Sequence, residues 1–370
     1  MKRICRLLVV AGLFAGLANS VWSFDLSPKG TRFDRDAVKA WAPSFLDGVL
    51  TALTDKGLPK FKHSVHEEIT HRAYECNHEG PIICGDPDAQ FATPYVIAGV
   101  RWNDDPPFQM SPNQAGDTSC KTAYSDGRPM TIRFITQPRC WAELFLSAEK
   151  QIKADANKRF DVANQSALPL RSHFGDLQFI HSMASVDGED PAETRDKILG
   201  WAELTWGVVR ENNKLETWLK DINVPVALKF FGNSGWRVQE LFTLGDPSLR
   251  LYVSDVAFGS LLHTVEDSFA AGHVDRMEPA NGAQCSGSPY RAPGPIREFH
   301  SYTHQSTSGH AGADTRDAFI NNRLTPDVVD VGRTLVALRK DKADWTKVKA
   351  YLMCVYDFAP EIRKASAGQF

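Results

Sequence analysis

The chain has 370 residues, 42% of them hydrophobic and 24% charged, with a formal net charge of −3 at pH 7. That composition is far from a disordered chain, and its mild acidity argues against a nucleic-acid scaffold, which would need a basic footprint. Residues 1–23 join a basic head (Lys2, Arg3, Arg6) to an apolar run and small residues, the pattern of a secretory signal. Its removal takes the charge to −6 and leaves a mature chain beginning near Val21, Trp22 or Phe24. The apolar run is too short to span a bilayer, and no later segment is long and apolar enough, so no transmembrane anchor is expected. The expectation is a secreted or periplasmic protein. Six cysteines follow the signal, and in an oxidising compartment proximity favours Cys76 with Cys84 and Cys120 with Cys140, leaving Cys285 with Cys354. None forms a C-x-x-C pair, which argues against sulfur-ligated zinc.

In chain order, apolar spacing in threes and fours predicts helices over 37–53, 66–75, 141–158, 168–185, 194–210, 251–269, 326–338 and 345–365. Alternating runs are scarce. Residues 77–90, 104–129 and 276–313, rich in Gly, Pro, Ser, Asn and Asp, read as loops. With no linker and no repeat, one all-α domain over 24–370 is the simplest reading.

The polar residues inside these helices carry the chemistry. In "HSVHEEITHRAY", His66 and His71 are five apart, about 140° around a helix, so "HEEITH" is not the H-E-x-x-H of zinc proteases. "GVRWNDDPP" places Asp104 and Asp105 at a helix end before two prolines. "RSHFGDLQFIHSMAS" places His173 eight residues before His181. "LLHTVEDSFAAGHVDR" sets His263 and Asp267 four apart on one face, able to bind one metal, with His273 beyond Gly272 able to point toward a second. "FHSYTHQSTSGHAGAD" repeats the spacing in His310 and Asp314. Imidazole and carboxylate donors without thiolate suit hydrolytic zinc. No G-x-S-x-G elbow and no glycine-rich phosphate loop is present.

The order of these stretches resembles the zinc-dependent bacterial phospholipase C family, whose superfamily also holds the fungal single-strand nucleases. The shared phrases are H-x-x-x-D-x-x-x-x-x-H at His263, Asp267 and His273, H-x-x-x-[DE] at His310 and Asp314, S-H-F-x-D at His173, H-x-x-I-x-x-R-A at His66, and "WND" ending at Asp104. "RWNDDP", "LLHTVEDSF" and "FHSY" resemble the larger secreted Gram-negative members most. The resemblance implies an all-helical protein of the phospholipase C type with about three zinc ions. It gives His173, His263, Asp267 and Asp104 to one zinc and His273, His310 and Asp314 to a second. The third takes His66, a bridging Asp267 and the mature N-terminus, at Phe24 or Trp22. Two features depart from the compact members: more than forty residues separate Phe24 from His66, and an insertion covers about 106–165.

The expected activity is hydrolysis of a phosphatidylcholine-type phospholipid at a membrane surface, giving diacylglycerol and a phosphorylated head group. Asp104 would position or deprotonate the attacking water, with Asp105 as the fallback. A zinc-dependent nuclease or nucleotidase is the alternative, and a non-catalytic zinc protein the third reading. His181, His300 and His304 are expected to orient ligands or substrate phosphate from outside. His63, His71 and His78 read as surface or capping residues, and Trp201, Trp206, Trp218 and Trp236 as packing.

Overall fold

Several helices begin where the sequence supplies caps. In the computed structural model, which describes residues 26–41, 63–110, 120, 124–125, 128–129, 131–155, 158–164, 166–244, 246–305, 315–321 and 325–369, the first is α1 (Arg32–Trp41). It starts five residues before the periodicity predicts, because Thr31 and Asp34 cap each other: Thr31 N–H and Oγ1 both donate to the Asp34 carboxylate (2.9 Å each). The predicted helix beyond Trp41 lies outside the described residues. Next come α2 (Val65–Ala73), a single turn α3 (Pro81–Cys84) and α4 (Pro94–Val100), the last capped by Thr93, which accepts from Val96 N–H. The inserted segment contributes the short antiparallel pair β1 (Tyr124–Ser125) and β2 (Arg128–Pro129), then α5 (Pro138–Ala154).

The helix predicted over 168–185 is broken. α6 (Leu168–Phe174) stops at Gly175, where a Cβ would lie 1.6 Å from the Phe160 carbonyl of the returning insertion, and a 3-10 turn follows over Gln178–His181. α7 (Pro191–Val209) is capped by Asp190, and two short helices the periodicity missed follow, α8 (Pro225–Phe231) and α9 (Val238–Thr243). α10 (Val253–Asp267) is buried along its length except at Ser254 and Asp255 in its first turn. A second antiparallel pair joins β3 (Val274–Arg276) to β4 (Ile296–Phe299), with Val274 opposite Phe299 and a bulge between Asp275 and Arg276. α11 (Arg316–Asn321), α12 (Val328–Lys340) and α13 (Trp345–Val355) complete the chain. The predicted last helix stops ten residues early because 356–366 runs beside β4 instead, through bridges from Ile296 to Phe358 and His300 to Ser366. The fold is mainly α with these two small strand pairs.

α10 organises the core. It crosses α4 with the two backbones in contact, since a Cβ on Gly99 would meet Val256 O at 2.1 Å and one on Gly259 would meet Val96 O at 2.1 Å. Around the crossing pack Trp102, Trp201, Phe231 and Phe242. Trp206 is buried as expected, whereas Trp218 is 40% exposed. The disulfides are Cys76–Cys84, Cys120–Cys140 and Cys285–Cys354. Among the described residues no helix is long and apolar enough to cross a membrane.

Candidate metal centre

Seven ionisable side chains from separate stretches meet beside the α4–α10 crossing. His66 comes from the first turn of α2, Asp104 from the turn after α4, His173 from α6, His181 from the 3-10 turn, His263 and Asp267 from α10, and His273 from the entry to β3. All seven are buried, none more than 1% exposed. Burying so many ionisable groups is tolerated only where they balance one another or a bound ion.

Local structure fixes each donor. Trp102 is sunk in the core with its Nε1–H on Leu241 O (3.2 Å), and Asn103 Nδ2–H donates to Ile180 O (2.7 Å) while its Oδ1 accepts from Ser260 Oγ–H, so Asp104 faces the cluster. Asp105 turns the other way: its Oδ1 accepts from Phe134 N–H (2.8 Å) and its Oδ2 lies 3.9 Å from the Arg133 guanidinium. Burial raises the Asp105 carboxyl to about 7 against the pull of Arg133. The structure therefore brings Asp104 to the cluster and sets Asp105 in a separate buried network with Arg133 and Asp34.

The imidazoles are oriented by hydrogen bonds at their outer nitrogens. His263 Nδ1–H donates to Val100 O (2.6 Å), His173 Nδ1–H to Pro169 O (2.7 Å), and His273 Nδ1–H to His181 O (2.7 Å). His66 Nδ1–H donates to Glu266 Oε2 (2.6 Å), and Glu266 is itself held by Thr70 Oγ1 (2.6 Å). A histidine bound through one nitrogen to a carbonyl or carboxylate presents a lone pair at the other, the arrangement that carries metal ligands. The inward nitrogens converge on two carboxylates. Asp104 Oδ1 lies 3.7 Å from His173 Nε2, 3.8 Å from His181 Nδ1 and 3.9 Å from His263 Nε2. Asp267 Oδ2 lies 2.7 Å from His181 Nδ1 and 2.9 Å from His263 Nε2. The remaining oxygens turn to His66: Asp267 Oδ1 at 3.4 Å and Asp104 Oδ2 at 4.0 Å from its Nε2. Donors about 2.0–2.1 Å from one ion stand about 2.9 Å apart at right angles and about 4.1 Å apart when opposite, so these separations fit metal binding. The sets His66, His263, Asp267 and Asp104, His181, His263 could each hold an ion.

Without an ion, protons must do its work. Burial alone would lower His66, but hydrogen bonds with Asp267 and Glu266 carry it up to about 10. Burial would raise Asp267, yet His263 and His273 hold it well below the ordinary carboxylate range. His181 is pushed down to about 4 by burial, despite the opposing pull of Asp267.

The other candidates divide. His310, Asp314, Phe24 and Trp22 lie outside the described residues. His300 sits on the far side of the His273 strand, its Nδ1–H on Gly272 O (3.1 Å), in the wall of a cavity of about 520 Å³ that Arg276 and Phe319 also line. His304 is exposed and pairs with Asp187. His71, expected at the surface, is fully buried, with Nδ1 accepting from Ala92 N–H (3.1 Å); His63 and His78 are exposed. His181, expected to act from outside, stands within the cluster: the helix breaks at Gly175 and the 3-10 turn Gln178–His181 carries its ring in beside His263 and Asp267. Glu266, next to Asp267 in "HTVED", went unremarked, as did the buried pair Glu67 and Arg101. No family model matches the chain, and no curated protein or solved structure does either.

Proposed function

We propose that the protein is a zinc-dependent phosphodiesterase of the phospholipase C type, hydrolysing phospholipids to diacylglycerol and a phosphorylated head group. The observation that carries the reading is the meeting of Asp104, His173, His263, Asp267 and His66, residues chosen for their motifs and separated by up to about 200 positions. The donor set is all imidazole and carboxylate, which suits zinc. Bound zinc would supply Lewis acidity toward the phosphodiester oxygens and lower the pKa of a water molecule. The chain's own part is to hold His173, His263 and His66 as neutral donors through Pro169 O, Val100 O and Glu266, and to aim Asp104. Asp104 is the residue proposed to position the attacking water, since Asp105 is committed to Phe134 and Arg133.

The proposed role of the mature N-terminus gains support from Ser27. Its N–H donates to Glu67 Oε1 (3.1 Å) and its carbonyl accepts from Arg101 Nη1 (2.9 Å), which brings the chain back beside the helix of His66 despite the long intervening segment. The test is to measure zinc and the phosphate products released from phosphatidylcholine and from single-stranded DNA, before and after a strong chelator and after zinc is returned. Zinc-restored release from phosphatidylcholine is expected; release from DNA alone would make it a nuclease, and full activity without metal would end the reading. The complete burial of the seven donors favours a second reading, a metal centre that only stabilises the fold. Zinc uptake with no hydrolysis of either substrate would establish it.

A further inference from the structure

We propose that His181 is a direct ligand, and that with His173, His263, Asp104 and Asp267 it fills one metal position with five protein donors, so that the ion exchanging its ligands with solvent and substrate is the one at His66. This rests on the metal-centre reading above. It departs from the four-donor set that the resemblance implies for that position, and from a role for His181 outside the cluster.

The tautomers carry the argument. His181 Nε2 lies 3.1 Å from Asn103 O and its Nδ1 lies 2.7 Å from Asp267 Oδ2, and both oxygens can only accept; a neutral ring has one proton for the two, and a metal ion at the Nδ1 lone pair with the proton on Nε2 satisfies both. His263 is fixed in the same way by Val100 O, so its Nε2 is a lone pair too. Those two lone pairs face each other at 3.1 Å, and both face Asp267 Oδ2, at 2.7 and 2.9 Å. Three electron-rich atoms at van der Waals contact or closer in a dry interior repel unless protons or a cation lie among them, and a single cation relieves all three contacts at once. A neutral residue acting from outside would turn an N–H toward the carboxylate and its lone pair away, and here that lone pair would meet the Asn103 carbonyl at 3.1 Å.

Counting donors then makes the two positions unequal. His173 Nε2, His181 Nδ1, His263 Nε2, Asp104 Oδ1 and Asp267 Oδ2 surround the first. The second has three among the described residues: His66 Nε2, Asp267 Oδ1 and Asp104 Oδ2. A catalytic zinc keeps a position open, and five protein donors leave little room for one. Asp104 and Asp267 each turn one oxygen to either side, so both carboxylates would be shared by the two positions.

Co²⁺ added to metal-free full-length mature protein reads coordination number directly, because four-coordinate cobalt absorbs visible light more strongly than five-coordinate cobalt. The first equivalent is expected to give the weak five-coordinate band. His181→Phe, which keeps a buried ring but offers no donor, is expected to convert it to the intense four-coordinate band and weaken binding at least about tenfold. Wild-type protein giving the intense band with its first equivalent, or a folded His181→Phe with an unchanged spectrum, overturns the assignment and leaves the metal-centre reading standing. A chain that takes up no Co²⁺ or Zn²⁺ overturns both. The wild-type spectrum decides the matter even if the variant does not fold, as judged by circular dichroism.

Discussion

Replacing Asp267 by Asn keeps the size of the side chain but removes the charge that faces His66 on one side and His181 and His263 on the other. Turnover is therefore expected to fall further with Asp267→Asn than with any neighbouring change, and metal content with it. Glu266→Gln, which touches the metal position only through His66, is expected to cost about ten- to a hundredfold in zinc affinity, read by competition with a chelator. His71 behaves differently: it stands five residues from His66 on another face of α2, and its removal should leave metal content and turnover nearly unchanged. Its influence is on stability. Burial holds its imidazole down at about 4, against 6.5 in an open chain, so between pH 6.5 and 4 the unfolded chain binds a proton the native protein refuses. Stability is thus lost as pH falls through that window, by about 3 kcal/mol at most. Urea midpoints at pH 7 and pH 4.5 should converge more in His71→Gln than in wild type; an equal drop in both would contradict this. At this scale the sequence reveals much, since His263 and Asp267 announce themselves by a spacing of four. It does not reveal direction: nothing in "NDD" says which aspartate faces the histidine cluster, which the anchoring of Trp102 and Asn103 decides.

Helix periods locate α2, α7, α10, α12 and α13 to within a few residues, except that α13 ends ten residues short where the chain pairs with β4. Short elements such as α4, α8 and α9 escape because seven residues or fewer hold too few turns for a period to show. The contact between α4 and α10 matters most for the site, because it sets the distance from Val100 O to His263. Gly99→Ala would place a methyl 2.1 Å from the Val256 carbonyl, so the two helices must separate. The expected result is a loss of about 1–3 kcal/mol in stability together with weaker metal binding, seen as a lower urea midpoint and zinc released at lower chelator concentration. A glycine in a pattern of apolar residues gives no sign from sequence alone of what it approaches. α2 is a second case, buried on every side although rich in charge: Glu67 pairs with Arg101, and Glu68 with Arg72 and Arg316. Arg101→Ala would strand Glu67 and is expected to cost about 3–5 kcal/mol.

Across the molecule, Cys285–Cys354 closes a loop with a sequence separation of 69 and ties the loop between β3 and β4 to α13. Loop-closure entropy puts its contribution at about 4 kcal/mol, so Cys285→Ser with Cys354→Ser should lower the unfolding midpoint clearly, whether or not zinc is present. Sequence proximity anticipates that pairing because the two shorter loops claim their partners first. It says little about the assembly of the candidate metal centre, whose members are spread from His66 to His273. His66 reaches Glu266 across 200 positions and His181 reaches Asp267 across 86. Contacts of such long range form late in folding, after the loops between them have been closed. Until α2, the turn after α4, the 3-10 turn and α10 have docked, no two of the principal donor segments are neighbours, and a metal ion finds only scattered histidines. The expected order of events is folding first and metal second. An ion offered too early would bridge histidines in arrangements the native chain never makes, so zinc present during refolding should slow recovery of the native protein, whereas zinc added afterward should not.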